Sequence, residues 1–492
     1  MLKDVKYMEN IKHKLLEYQQ EHINNIIRIL NNNNSCLDAS DTGTGKTYTA
    51  IATCIIAGFR PIIICPKSVI ATWRNVWNYF EDDIKSKSNV NNNQKQLLSY
   101  KKLSPIIVNY ETIKKGKIYI NDKKIKADFI NIIRNKKDHI DKIEFNFDKS
   151  HIITNNDNIL FIFDEVHRCS NLESDNCMLL LAAKQINTKI LLLSATIADY
   201  PEKFKPFFYV LNFINPSQVK NKNIDYKKYI DIVDSWIMRD YKPMVRIHNM
   251  LYPDRASRVR IDVLGDMFPQ TQINATPYTL SSKRAVEIEK EYKKLSIELE
   301  EIRNKKNKDN VNPLTLTIRS HQKIEILKIP IFIELARDFI QNKFSVVIFV
   351  NFTQTLKTLA EMLHTDSIVY GEQTYENRIR IIEDFQSNKT NIIILNIKAG
   401  GVGISLHDVY GGHPRISIIS PTWNSIDLVQ AMGRIHRAGG KTKSLQRIIY
   451  VANTVEERIA EKLKTKLKNI NSINNGDLDL TNIEFENKYN LI

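Results

Sequence analysis

Apolar residues along this chain fall into two series of short, uninterrupted runs separated by amphipathic or polar stretches. The first series is Ser35–Ala39, Pro61–Cys65, Ile106–Val108, Leu160–Phe163 and Ile190–Leu193. The later runs are apolar throughout rather than alternating, the mark of strands covered on both faces in a parallel sheet. Before them, Ile11 to Leu30 repeats apolar positions at helical spacing up to the Asn31–Asn34 turn, and between the first two Tyr48 to Ala57 does the same. This alternation predicts a doubly wound α/β lobe over residues 1–213. Residues 114–158 interrupt it with Lys, Asn and Asp at weak periodicity, so they are expected to be an insertion or a solvated arm.

From Asn212 to Leu327 the pattern changes. Ser282 to Arg303 predicts a charged amphipathic helix and Lys305 to Asn312 a polar linker. A second series follows: Ser345–Val350, Ser367–Tyr370, Asn391–Leu395, Arg415–Ile419 and Gln446–Val451. It predicts a second α/β lobe over 326–468, with 214–325 as a less regular, partly helical connection. Residues 469–492 read as an Asn-rich polar tail that frays.

Composition narrows the classes. At 492 residues the chain exceeds one core, and 42% hydrophobic with 26% charged residues excludes a disordered chain. A net charge of +16 suits a polyanion, most simply nucleic acid, although heavy use of Lys, Asn and Ile would also follow from an AT-rich genome. For the Lys-rich 114–158 segment, direct nucleic-acid contact is therefore the sharper alternative. Five cysteines without a Cys-x-x-Cys pair read as core residues in a reducing compartment, not as a disulfide or zinc framework. His407, His413 and His436 do not make a metal set. The first ten residues lack an apolar signal core, and no run has the length of a membrane span. A soluble, intracellular protein with no membrane partner is expected.

The candidate chemistry starts at Ser40-Asp41-Thr42-Gly43-Thr44-Gly45-Lys46-Thr47, a Gly-rich turn between a strand and a helix. Gly43 and Gly45 let backbone N–H groups converge on phosphate oxygens at a helix N-terminus. Lys46 brings a charge to the β/γ-phosphates of ATP, and the Thr47 hydroxyl is placed for Mg²⁺. Ser40 stands where the general pattern prefers glycine. Downstream, the Leu160–Phe163 run ends in Asp164-Glu165-Val166-His167. Asp164 is placed to hold Mg²⁺, and Glu165 to orient and deprotonate a water. Ser194-Ala195-Thr196 ends another strand, with hydroxyls that could bond His167 or the nearby acids. In the second lobe, Gln430-Ala431-Met432-Gly433-Arg434-Ile435-His436-Arg437 puts two arginines three apart. On a helix they would share a face and suit phosphate oxygens. Before them, Lys398-Ala399-Gly400-Gly401-Val402-Gly403 follows a strand, where a ligand can approach backbone.

This ordered set, from Gln19 to Arg437, resembles the superfamily 2 helicase-like ATPases. Finer details are similar to the Swi/Snf-type remodelling branch: Leu16-x-Tyr18-Gln19, Cys65-Pro66-Lys67-Ser68 followed by Trp73, Asp164-Glu165-x-His167-Arg168, Pro421-x-Trp423-Asn424, and Thr454-x-Glu456-Glu457-Arg458-Ile459. The resemblance covers roughly 11–215 and 325–465. Ser194-Ala195-Thr196 resembles the DEAD/DEAH helicases, Gly433-Arg434 is helicase-like, and Gly439-Gly440 stands where remodellers tend to have Gly-Gln. The resemblance implies two RecA-like lobes and a minimal motor; action on nucleosomes does not follow. It implies adenine recognition by Gln19, phosphate and metal binding by the loop residues, and coupling through His167, Ser194 and Thr196. It assigns Gln430, Arg434 and Arg437 to the nucleotide, and Lys67, Ser68, Asn351 and Trp423 to the nucleic-acid track. The expected activity is ATP-dependent translocation on, or unwinding of, DNA. An RNA helicase and an ATP-switched transcription or termination factor are alternatives. A P-loop kinase or transporter ATPase would leave the second lobe unexplained.

Overall fold

In the computed structural model, the described residues are all but 1–10, 12, 91–102, 121–122, 138–139, 149, 151–157, 214–224, 305–312, 401–403, 423, 453–454, 477–482, 486–489 and 492. The chain divides into two compact units. One comprises Met1–Ile261 with Asn469–Asp479, the other Asp262–Lys468 with Leu480–Ile492.

The first unit is built on β1 (Ser35–Asp38), β2 (Phe59–Cys65), β3 (Ile106–Asn109), β8 (Asn158–Asp164), β9 (Lys189–Leu193) and β10 (Ala256–Ser257). All pair in parallel, in the order β10-β1-β9-β8-β2-β3. Non-sequential neighbours demand crossovers, which the helices Glu17–Asn33, Lys46–Ala57, Ile70–Val90 and Asp175–Gln185 provide. The central strands are buried on both faces, as their continuous apolar runs predict: Ile62 to Cys65, Leu160 to Phe163 and Ile190 to Leu193 all lie in the core. Loops bearing the candidate chemistry leave the carboxyl ends of β1, β8 and β9, where open parallel sheets bind ligands.

The segment expected to be an insertion or a solvated arm is ordered over much of its length. Two antiparallel hairpins, β4–β5 (Lys117–Ile120, Lys123–Lys126) and β6–β7 (Ile130–Lys137, Ile140–Phe147), pack onto the unit. Ile118, Phe129, Ile130, Phe145 and Phe147 are buried with β2 and β8 residues in one core. Their apolar residues alternate with Lys and Asn at period two, so no helical periodicity could emerge. The same unit runs past residue 213, taking in the helices Tyr226–Ile237 and Pro243–Leu251 and strand β10 from the expected connection.

The second unit holds β11 (Thr271–Thr279), β12 (Ser345–Val350), β13 (Ile368–Val369), β14 (Ile392–Asn396), β15 (Arg415–Ile419), β16 (Ser444–Val451), β17 (Ile483–Phe485) and β18 (Asn490–Leu491). They are all parallel, ordered β13-β14-β12-β15-β16-β11-β17, with β18 also on β11. Strand β11 lies inside the expected connection, whose other regular parts are the helices Ser282–Asn304 and Pro313–Leu327. Its Pro277 lacks an N–H, and β17 and β18 pair with 273–275 and 278–279, on either side of it. The expected linker at 305–312 lies outside the described residues.

The expected fraying tail is also corrected. Its first residues complete the helix Val455–Asn475, with Ile473 fully buried in the core of the first unit. There Asn474 Nδ2 donates to Ala195 O (2.9 Å) and Asn469 Nδ2 to Asp199 O (3.0 Å). Asn-rich composition reads as solvated, yet these amides serve as donors to buried carbonyls. A buried ion pair braces the second unit: Lys328 Nζ donates to Glu456 Oε1 (2.9 Å), and the other carboxylate oxygen accepts from Val451 N (2.9 Å).

Candidate nucleotide-binding and hydrolysis site

The loop after β1 has the backbone the sequence demands. Gly43 and Gly45 sit at φ +92° and +87°, where a side chain is strained. Gly45 is constrained twice over, because a Cβ there would come within 2.4 Å of Gln19 Nε2. Lys46 opens the helix and folds back on the loop, donating to Ser40 O (2.7 Å) and Asp41 O (3.1 Å). Desolvation lowers the Lys46 pKa, and the negative charges of Asp38, Glu165, Asp41 and Asp164 oppose that shift. The loop lysine and the acid pair therefore share one electrostatic site. Thr47 lies in the first turn of the same helix.

Several loop residues predicted to face nucleotide are occupied by protein. Gln19 is nearly buried; its amide donates to Thr44 O (3.2 Å) and its carbonyl accepts from Leu16 N (3.0 Å). Tyr18 Oη also donates to Thr44 O (2.8 Å), and Thr44 Oγ1 donates to Asp41 O (2.8 Å). The Ser40 hydroxyl accepts from Val259 N (2.9 Å) and bonds His22 Nε2 (3.1 Å). Asp41 pairs with Arg258 (2.6 Å) and accepts from Ile261 N (2.9 Å). Thus the side chains of Ser40 and Asp41 hold the stretch of chain that follows β10. Thr42 stays partly exposed. Behind the loop, His22 bridges Asp38 (3.1 Å) and Ser257 (2.9 Å) in a buried polar cluster.

Asp164 closes β8. Its Oδ2 accepts from the indole N–H of the fully buried Trp73 (2.8 Å), and its Oδ1 from Glu165 N (2.9 Å). Tyr110 Oη donates to the Asp164 carbonyl (2.8 Å). Burial, then the Glu165 charge, raises the Asp164 pKa; the Trp73 hydrogen bond and Lys46 pull the other way. Glu165 adopts φ +51°, ψ 50°, a left-handed conformation uncommon outside glycine and often found at functional turns. The turn brings His167 Nδ1 to 3.4 Å from Glu165 Oε2 and 3.3 Å from Ser194 Oγ. Thr196 is buried, with its N–H donating to Ser194 Oγ (3.3 Å). Lys67 and Ser68 are exposed in the turn after β2.

In the second unit, the helix Ser425–Met432 stops before Gly433. Arg434 and Arg437 therefore lie in the following turn rather than on a shared helical face, which corrects the sequence expectation. Buried Arg434 donates to Ile404 O (3.3 Å); Arg437 donates to Ser405 Oγ (2.8 Å) and Gly433 O (3.1 Å). Gln430 is buried on the helix. Asn351 follows β12, and its amide donates to Glu325 Oε2 (2.8 Å) and Pro421 O (3.1 Å). Trp423 and Gly401–Gly403 lie outside the described residues. Among the described residues no cluster of three or more His, Cys, Asp or Glu could hold a metal.

The sequence missed Trp73 as a partner of Asp164, Arg258 as a partner of Asp41, and Glu325 as the clamp on Asn351. The first two lie 91 and 217 residues from the groups they bond, beyond any local pattern. Adjacent acids at a strand end signal the pair, never its distant donor.

Comparison with known proteins bears on this geometry. Residues 12–199 match the family described as type III restriction enzyme, res subunit, and residues 327–439 match the helicase conserved C-terminal domain. A protein of Acanthamoeba polyphaga mimivirus, described as "Putative ATP-dependent RNA helicase L364", is 36% identical over 95% of this chain and 84% of its own length. This chain is a superfamily 2 helicase-like ATPase. The helicase-like ATPase is also 22% identical, over 92% of its length, to the ISWI chromatin-remodeling complex ATPase ISW1 of Saccharomyces cerevisiae, of which it spans 40%. Against a solved structure of S. cerevisiae Dbp5 bound to RNA and ADP BeF3, it gives 13% identity and a TM-score of 0.46, covering 98% of this chain and 93% of that one. No helix among the described residues is long and apolar enough to cross a membrane.

Proposed function

We propose that this ATPase is a motor that hydrolyses Mg²⁺-ATP to translocate on duplex DNA. The supporting observation is the set of Swi/Snf-type motif details, from Leu16-x-Tyr18-Gln19 to the Thr454–Ile459 motif, within a similarity to the yeast remodelling ATPase that spans 92% of the chain. The donor set fits the cofactor. A Cβ at Gly45 would meet Gln19 Nε2, Lys46 is poised over loop carbonyls, and the carboxyls of Asp38, Asp41, Asp164 and Glu165 stand within its field. Thr47 and Asp164 would hold Mg²⁺, which supplies neutralising charge to the phosphates when bound. Lys46 exchanges its loop carbonyls for phosphate oxygens. Glu165 orients the attacking water and takes its proton, and His167 holds Glu165 against Ser194. Arg434 and Arg437, with Gln430, are assigned to stabilising charge on the transferring group. Arginines in that role contribute on the order of 10³–10⁵ in rate. Movement then requires ATP and ADP states that differ in their affinity for the polyanion.

A second reading, RNA helicase, draws on the name of the mimivirus relative. One experiment separates them: the ATPase rate across single- and double-stranded DNA and RNA, with triplex displacement to detect movement. Greatest stimulation and displacement with duplex DNA is expected. Stimulation by RNA alone overturns the DNA assignment, and stimulation without displacement overturns the motor.

A further inference from the structure

The hairpin β4–β5 carries an unassigned surface. Its register sets Lys117 opposite Lys126 and Tyr119 opposite Lys124. Cross-strand partners and alternate residues share a face, so Lys117, Tyr119, Lys124 and Lys126 line one side. The other side holds Ile118, buried in the core, Ile120 and Ile125, with exposed Lys123 opposite Ile120 at its tip. The basic face is exposed at all three lysines, and no carboxylate of the described residues lies within ion-pair distance of them. Like charges directly opposite in a hairpin are destabilising, and nothing within the described protein offsets the Lys117–Lys126 pair.

This face is anchored rather than trailing. Ala127 N donates to Gly116 O (2.8 Å) at the hairpin base, and the Tyr119 hydroxyl bonds Asn109 Nδ2 (3.2 Å) and Thr112 Oγ1 (3.1 Å) just after β3. Lys124 Nζ lies 5.8 Å from the Tyr119 ring centroid. Burial raises the Tyr119 phenol, but hydrogen bonds to Thr112 and Asn109 and the positive charges of Lys124 and Lys67 lower it more. Lys67, in the exposed turn after β2, therefore belongs to the same electropositive neighbourhood.

We propose that the Lys117–Tyr119–Lys124–Lys126 face binds the phosphate backbone of duplex DNA, extending the contact surface that begins at Lys67. The choice of DNA rests on the functional reading above; the choice of a polyanion rests on the face itself. An aromatic ring between lysines fits a backbone, and lysine contacts to phosphate carry no sequence preference.

The test uses the full chain with alanine at Lys117, Lys124 and Lys126. Removing a like-charge pair relieves the hairpin, and the melting temperature checks that the variant folds. A charge-matched control replaces exposed Lys227, Lys228 and Lys242. Binding to a short fluorescent DNA duplex is read by anisotropy across a salt series without nucleotide. The expected result is at least a tenfold weaker affinity and a log–log salt slope shallower by roughly 0.9 per lost contact, against an unchanged control. A slope equal to that of the control overturns the proposal. A loss seen with duplex RNA or polyglutamate but not with DNA also overturns it. Failure of DNA to stimulate ATP hydrolysis by the wild type sinks the motor reading instead, because the binding slope is measured without turnover.

Discussion

Trp73→Phe isolates the hydrogen bond that the indole makes to Asp164, the carboxylate proposed to hold Mg²⁺. The indole N–H reaches Asp164 Oδ2 at 2.8 Å from a fully buried ring. A hydrogen bond to a charged group contributes about 1.5–3 kcal/mol, which is about ten- to a hundredfold in an equilibrium constant. Phe keeps most of the ring volume and removes only the donor. Trp73 and Lys46 hold the Asp164 pKa down against burial and the Glu165 charge. Losing the donor pushes Asp164 further up, so at neutral pH more of it carries a proton and less can hold the metal. The half-saturating Mg²⁺ concentration for ATPase activity should rise at least about tenfold. The defect should narrow at mildly alkaline pH, where the carboxyl ionises again. The assay is an Mg²⁺ titration of the ATPase rate at two pH values, with thermal melting to confirm folding. A folded variant with the wild-type Mg²⁺ requirement, or a defect equal at both pH values, refutes the argument.

Other predictions follow from the same geometry. Glu165→Gln should bind ATP without turnover, and Arg437→Ala should keep binding but lose most hydrolysis, both read by fluorescent-nucleotide binding and phosphate release; wild-type hydrolysis by Arg437→Ala would remove that arginine from the site. Glu456→Gln strands the Lys328 ammonium inside the second unit and should cost about 3–5 kcal/mol, while adding Lys328→Met should restore most of it. Hydrogen exchange of β12 and β16 in denaturant reads both, and a double variant no better than the single refutes the pair. Burial holds His321 and His407 down to about 4, with Lys328 adding to the effect at His321 and Arg437 at His407. Since the unfolded groups take protons near pH 6.5, the second unit should be fully supported above that value and lose stability as pH falls towards 4. Hydrogen exchange at stepped pH measures this, and His407→Asn should lessen the loss.

What the sequence revealed divides along physical lines. The buried strands were legible because a strand covered on both faces permits only apolar residues, as in Leu160–Phe163 and Ile190–Leu193. The turn after β1 was legible because Gly43 and Gly45 supply the positive φ that its backbone adopts. Strand β11 was hidden by its Thr, Gln, Asn and Pro content, tolerated where flanking strands leave a gap at Pro277. The hairpins were hidden because Lys and Ile alternate there without a long apolar run. Helical spacing at Arg434 and Arg437 misled because Gly433 ends the helix first. Side-chain duties were least legible. Val259, Arg258 and Glu325 engage the side chains of Ser40, Asp41 and Asn351 from distant stretches of chain, and no local pattern signals such partners.

The phosphate loop is tethered on both flanks. Ser40 and Asp41 are laced to the chain at Arg258, Val259 and Ile261, while Tyr18 and Gln19 pin Thr44 from the opposite side. Only Thr42 and Gly43 remain as a slack arc. The Ser40–Asp41 tether joins the loop to the residues that stand directly before Asp262, where the second unit begins. A substitution that frees Asp41 from Arg258 should therefore loosen the loop and the chain entering that unit together.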